Sequence, residues 1–114
     1  MTGITTHVLD LVLGRPAVDL PVVLERQDDD GAWRPLGSAT TDGNGRCANL
    51  LPAGAPFVAG IYKLVFDTGR YFRAAKADAF YPRVTVEFTV EDEKQHYHVP
   101  LLLNRFGYTT YRGS

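Results

Sequence analysis

Glycine and proline recur so often along this chain that no apolar stretch is long enough for a large amphipathic helix. Eleven glycines and seven prolines are spread through 114 residues. The segments between them are short and rich in the β-branched and aromatic residues that suit a half-buried pleated surface. Residues 4–13 predict a first strand, ended by Gly14-Arg15-Pro16, and residues 22–26 a second, followed by the acidic turn Asp28-Asp29-Asp30-Gly31. Residues 33–39 form a third run; Pro35 removes a ladder donor and confines it to a sheet edge or a bulge. Thr41-Asp42-Gly43-Asn44-Gly45 holds the Asp-Gly and Asn-Gly pairs that favour tight turns, with residues 46–50 as the return strand. Residues 60–67 and 83–91 alternate well, placing Val84, Val86, Phe88 and Val90 on one face. Residues 96–103 and 108–112 complete the strands. Only residues 68–77 show helical spacing, with Thr68 as cap and Tyr71, Ala74 and Ala75 as an apolar stripe. About eight short strands and one short helix predict an all-β sandwich, a single domain over residues 1–114.

The rest of the composition narrows the function classes. With 45% hydrophobic and 22% charged residues the chain has the balance of a packed domain, not of a disordered one. Its one cysteine, Cys47, has no internal disulfide partner and reads as a small core residue. Twelve basic against thirteen acidic residues leave a net charge of −1, without the basic excess of a general nucleic-acid binder. No apolar run approaches the roughly 20 residues of a membrane-spanning helix. The start, Met1-Thr2-Gly3-Ile4, lacks the basic-then-apolar pattern of a signal peptide, so a cytoplasmic location is expected.

Three histidines carry most of the chemistry. In a strand over residues 96–103, Tyr97, Val99, Leu101 and Leu103 form the obvious core face. His96 and His98 then lie on the opposite face with Pro100 and Leu102, and His7 shares a face with Leu9, Leu11 and Leu13. Imidazoles among apolar neighbours invite either a hydrogen-bonded structural role or acid–base work. The same three residues also have the composition of a zinc site with an open fourth position. Arg46 follows a glycine-rich turn, where a guanidinium can be directed at an anion or a carbonyl or can lie in solvent. No serine sits in a nucleophile-elbow pattern.

The C-terminal Tyr111-Arg112-Gly113-Ser114, preceded by Tyr108-Thr109-Thr110, resembles the segment that closes the transthyretin-like 5-hydroxyisourate hydrolases. The resemblance covers essentially the whole chain. His7-Val8-Leu9-Asp10 with Gly14-Arg15-Pro16-Ala17 is similar to the family's first strand and turn, and Thr40-Thr41-Asp42-Gly43-Asn44-Gly45-Arg46-Cys47 to its Gly-Arg hairpin. Residues 57–68, Phe80-Tyr81-Pro82 and His96-Tyr97-His98-Val99-Pro100-Leu101-Leu102-Leu103 follow in family order. Two departures stand out: Asn104-Arg105 where the family usually has Ser-Pro, and Asn44 where many members have aspartate.

The resemblance implies a transthyretin-like sandwich that hydrolyses 5-hydroxyisourate to 2-oxo-4-hydroxy-4-carboxy-5-ureidoimidazoline, without a cofactor or a metal. It places His7, Arg46, His98 and Ser114 in catalysis, and His7, Arg46, Tyr111 and Arg112 in substrate binding. His98 is the first candidate for the base, with His7 orienting water or shuttling the proton; the residues leave open which histidine does which. Gly113 is expected to take backbone angles closed to other residues, turning Ser114 and its carboxylate inward. The family also implies a homotetramer with sites at the dimer–dimer interface, and neither a nucleic-acid nor a membrane partner. Two alternatives are a transthyretin-like carrier of a small aromatic ligand and a zinc-dependent hydrolase.

Overall fold

Strict alternation of buried and half-buried side chains runs the length of the first strand, β1 (Gly3–Asp10), which buries Ile4, Thr6, Val8 and Asp10. In the computed structural model, which describes residues 3–114, the chain continues through β2 (Arg15–Pro16), β3 (Pro21–Gln27) and β4 (Trp33–Thr40). It then forms β5 (Arg46–Cys47), β6 (Gly60–Phe66), α1 (Thr68–Ala74), β7 (Val84–Val90), β8 (His96–Leu103) and β9 (Tyr108–Thr110). Met1 and Thr2, on which part of the expectation about the start of the chain falls, lie outside the described residues.

Two sheets face each other across one core, and the all-β sandwich with a single short helix is as expected. One sheet has the order β2-β1-β8-β9 with β5 also on β1; the other has the order β4-β3-β6-β7. β1 and β8 run parallel although more than eighty residues separate them, which puts Ile4 beside Tyr97 and Val8 beside Leu101. The inner faces meet in a cluster that includes Val8, Leu24, Tyr62, Leu64, Phe66, Val84, Tyr97 and Leu101. Burying one such side chain contributes about 1.5–3 kcal/mol. The expected core face of β8, Tyr97, Val99, Leu101 and Leu103, is the buried one. β4 is an edge strand, and its register on β3 slips where Leu24 faces Gly37 and Glu25 faces Pro35, leaving Leu36 as the extra residue of a bulge.

Several boundaries differ from the sequence reading, each for a local reason. β1 stops at Asp10 instead of running to Leu13, because the Asp10 carboxylate accepts the backbone N–H groups of Val12 (2.9 Å) and Leu13 (3.0 Å) and curls the chain. Leu11 and Leu13 are therefore not on the His7 face of the strand. β5 ends at Cys47 instead of at residue 50, and β9 at Thr110 instead of at residue 112. The helix cap is Asp67, which accepts the Arg70 N–H, and not Thr68. α1 buries Thr68, Gly69 and Phe72, whereas Ala74 and Ala75 of the expected stripe face outward. No helix among the described residues is long and apolar enough to cross a membrane.

Candidate active site

The outer face of the β2-β1-β8-β9 sheet gathers the residues singled out for chemistry. Strand register does the work: His7 on β1 lies beside Arg46 of β5 on one side and beside Pro100 of β8 on the other, and Thr5 lies beside His98. Residues paired in register share a face, so Arg46, His7, Thr5 and His98 all point away from the core. β9 carries the chain's end onto the same face. Leu101 pairs with Thr110, and an isolated bridge joins His98 to Gly113, whose N–H donates to the His98 carbonyl at 2.8 Å. Tyr111, between them, falls beside Pro100 and is exposed.

Arg46 is held by its turn. Asp42 accepts the backbone N–H of Arg46 (3.0 Å) and of Asn44 (2.8 Å) on one carboxylate oxygen, and its own N–H donates to the Arg46 carbonyl. These backbone hydrogen bonds hold the Asp42 carboxyl below its usual range, with the nearby Arg46 and His7 adding to the effect. Asn44 serves the turn through its backbone, so this departure from the family pattern leaves the hairpin intact. Gly45 is at φ +76°, and a Cβ there would come within 2.5 Å of the Val8 carbonyl oxygen, so only glycine lets the hairpin press onto β1.

His98 sits in the middle of the face. Its Nδ1 is 2.8 Å from Thr5 Oγ1, and the same hydroxyl is 2.8 Å from His96 Nε2. Burial, followed by the proximity of Arg46, His7 and His96, lowers the His98 pKa from the usual imidazole value. The ring is thereby biased to its neutral form near pH 7, the state a general base requires. Gly113 backs this ring: a Cβ on it would lie 2.6 Å from His98 Cδ2. The glycine is required by this close approach, not by the unusual backbone angles expected of it, for Gly113 is not among the positive-φ glycines.

Not every expected residue arrives here. Arg112 turns to the sheet edge, where its guanidinium lies 4.5 Å from the centre of the Tyr97 ring and donates to Gln95 Oε1 at 2.9 Å. It pins the tail instead of facing His7 and His98. Gly113 is the tail residue that bridges to His98; Ser114, which follows it, is exposed and not turned inward as expected. Cys47 pairs with Thr6, faces the core, and has its thiol pushed up to about 11 by burial. It is on the wrong side of the sheet to join the histidines, and among the described residues no three His, Cys, Asp or Glu side chains are arranged to hold a metal ion. Arg105, the other departure, donates from Nε to the Asp78 carbonyl at 2.7 Å, and its own carbonyl accepts the Phe80 N–H, tying the β8–β9 loop to the segment before β7. Sequence reasoning missed Thr5, whose only local signal is that it shares a strand face with His7.

Fold and site together define a β-sandwich with a cluster of imidazoles and a guanidinium on one open sheet face. Residues 4–113 match the HIUase/Transthyretin family. The 5-hydroxyisourate hydrolase of Salmonella typhimurium is 46% identical over 113 residues, covering 97% of this chain and 80% of that protein. The structure of the Klebsiella pneumoniae 5-hydroxyisourate hydrolase superposes with a TM-score of 0.83 at 34% identity, covering 97% of this chain and 98% of that one. Transthyretin from Sparus aurata superposes at 0.91 with 30% identity, covering 99% and 97%. This chain belongs to the HIUase/Transthyretin family.

Proposed function

We propose that this chain hydrolyses 5-hydroxyisourate, opening its ring to 2-oxo-4-hydroxy-4-carboxy-5-ureidoimidazoline. The observation that carries the reading is the convergence of Arg46, His7 and His98 on one sheet face of a chain 46% identical to relatives named for this activity. His98 Nε2 takes a proton from water as its oxygen attacks the ring carbonyl carbon. Arg46, whose backbone is fixed by its turn, directs its guanidinium at the oxygen that becomes negative. The carbon–nitrogen bond then breaks, and the leaving nitrogen takes up a proton, with His7 placed to shuttle it. Tyr111 supplies a wall for the planar ring, and Ser114, the residue after Gly113, a hydroxyl. Proton transfer of this kind typically contributes roughly 10²- to 10⁴-fold.

The face is open in a single chain; a cleft of about 580 Å³ lies elsewhere, between the β1–β2 turn and α1, lined by Leu13, Arg15 and Tyr71 among others. A homotetramer that stacks two such faces would close the site and bury the apolar residues around it. The rival reading, a carrier of an aromatic ligand, asks for apolar walls where this chain has three imidazoles and a guanidinium. The test is direct. 5-Hydroxyisourate is made fresh with urate oxidase and its decay followed in the ultraviolet; acceleration over buffer is expected, and decay at the buffer rate would reject the hydrolase.

A further inference from the structure

The cleft between the β1–β2 turn and α1 has walls that buried polar groups hold in place. Asp10 accepts the Val12 and Leu13 N–H groups and the Tyr71 hydroxyl, which fixes the turn and the helix to each other. Thr41, 2% exposed, does the same for the segment after β2. Its hydroxyl donates to the Ala17 carbonyl at 2.7 Å and accepts the Leu20 N–H at 2.9 Å, and its carbonyl accepts the Asp19 N–H at 3.0 Å. Asp19 is held among these bonds at φ +61°, a conformation that aspartate tolerates better than most residues. The cleft holds about 580 Å³, within the roughly 300–1,000 Å³ of small-molecule sites. A ligand entering it meets formed walls and has little ordering to do.

Two cations line this cleft, Arg15 from β2 and Arg70 from α1. The ion pairs among the described residues are Arg34 with Asp28, Lys63 with Glu25 and Arg105 with Asp78, so neither guanidinium is neutralised by a carboxylate. Arg15 lies close enough to the Tyr71 hydroxyl to oppose the rise in its pKa. Pro16, Val18, Ala74 and Ala75 supply an apolar wall, and Asp19 adds one carboxylate. Each part selects a feature of the occupant. The guanidiniums suit a carboxylate, which a fork of N–H groups can grip through both oxygens. The apolar wall suits a ring. Asp19 accepts a ring N–H and repels a second negative charge. We propose that this cleft is a second ligand site, taking a small ring compound with one carboxylate and ring N–H donors. It is separate from the histidine face, for His7, Arg46 and His98 take no part in its lining.

Orotate is the probe, a planar ring with one carboxylate and ring N–H groups. Uracil, the same ring without the carboxylate, and benzoate, a ring carboxylate without N–H groups, are the controls at matched ionic strength. In ¹H–¹⁵N correlation spectra of the full chain, orotate should give saturable shifts at the amides of Val18, Asp19, Ala74 and Ala75. Benzoate should give weaker shifts there, and uracil none. Arg15→Gln and Arg70→Gln change exposed side chains, so the melting temperature should hold while each raises the orotate Kd about tenfold or more. Arg46→Gln should leave the cleft shifts as they are. Absence of saturable shifts in the cleft, equal shifts with uracil, or an unchanged Kd in both arginine variants overturns the proposal. Shifts confined to the amides around His7 and His98 overturn it too, since they mark orotate as a ligand of the other face. None of these readouts uses turnover, so a chain that leaves 5-hydroxyisourate intact defeats the hydrolase reading alone.

Discussion

At the scale of single residues, the proposed reaction turns on the protonation of His98 and the space around it. A base works only unprotonated, and the lowered pKa of His98, caused first by burial and then by Arg46, His7 and His96, keeps it unprotonated further into acid. The acid limb of the kcat/KM profile is accordingly expected below pH 6.5, activity being lost as pH falls through the folded-state value. Arg46→Gln removes one of the depressing charges, so the limb should move to higher pH even as the rate drops. An unmoved limb in that variant would show that another group sets the profile. His98→Ala and His7→Ala should each lower kcat/KM by roughly 10²- to 10⁴-fold. Both stand on the outer face, away from the core, so the melting temperature should change little. Gly113→Ala makes a subtler case. Its methyl would meet the His98 ring at 2.6 Å and Pro100 Cγ at 3.3 Å, so the ring or the tail must move. Loss of activity without loss of stability is expected; a native rate would mean that the ring position is not critical.

Among the elements, β1 depends on how it ends. Asp10 is buried, with one carboxylate oxygen accepting two backbone N–H groups and the other accepting the Tyr71 hydroxyl of α1 at 2.7 Å. One side chain thus stops the strand, shapes the β1–β2 turn and docks the helix. The Tyr71 pKa is raised by burial and by this bond, as expected for a phenol that stays protonated and donates. A hydrogen bond to a charged group contributes about 1.5–3 kcal/mol. Tyr71→Phe should therefore lower the unfolding free energy by an amount in that range. Asp10→Ala, which frees three donors at once, should lower it by more. Urea melts of both variants measure this, and a Tyr71→Phe protein as stable as its parent would show the bond to be immaterial.

For the whole molecule, the apolar residues left outside the core form a second pattern. Leu11, Val12 and Leu13 at the end of β1 are 48%, 51% and 52% exposed, and Phe106 in the β8–β9 loop is 67% exposed. Val12 and Phe106 line one shallow surface with Asn104 and Arg105. Exposed apolar residues grouped in this way mark contact surfaces more often than solvent faces. Light scattering at micromolar concentration should report about four chains per particle. Val12→Glu and Phe106→Glu put a charge where a partner would sit; smaller particles and slower hydrolysis are expected together. A monomer with the full rate would reject a site completed by assembly.

Much of this was legible in the residues themselves. Alternation put Tyr97, Val99, Leu101 and Leu103 in the core and turned His96 and His98 outward, because the two-residue period of a strand is local geometry that no distant contact alters. Glycine and proline marked the turns for the same reason, and Pro35 marked β4 as an edge. The resemblance of whole segments pointed to His7, Arg46 and His98. Only the tertiary structure decided which strands lie side by side and in what register. The parallel pairing of β1 with β8 is what sets Thr5 against His98 across 93 residues of chain. The antiparallel pairing of β8 with β9 sends Arg112 to Tyr97 instead of to the site, and its continuation in the bridge from His98 to Gly113 makes a glycine necessary for space and not for its backbone angles. Register is a choice among long-range partners, each of which satisfies the backbone equally well, and it is the packing of the assembled core that selects one.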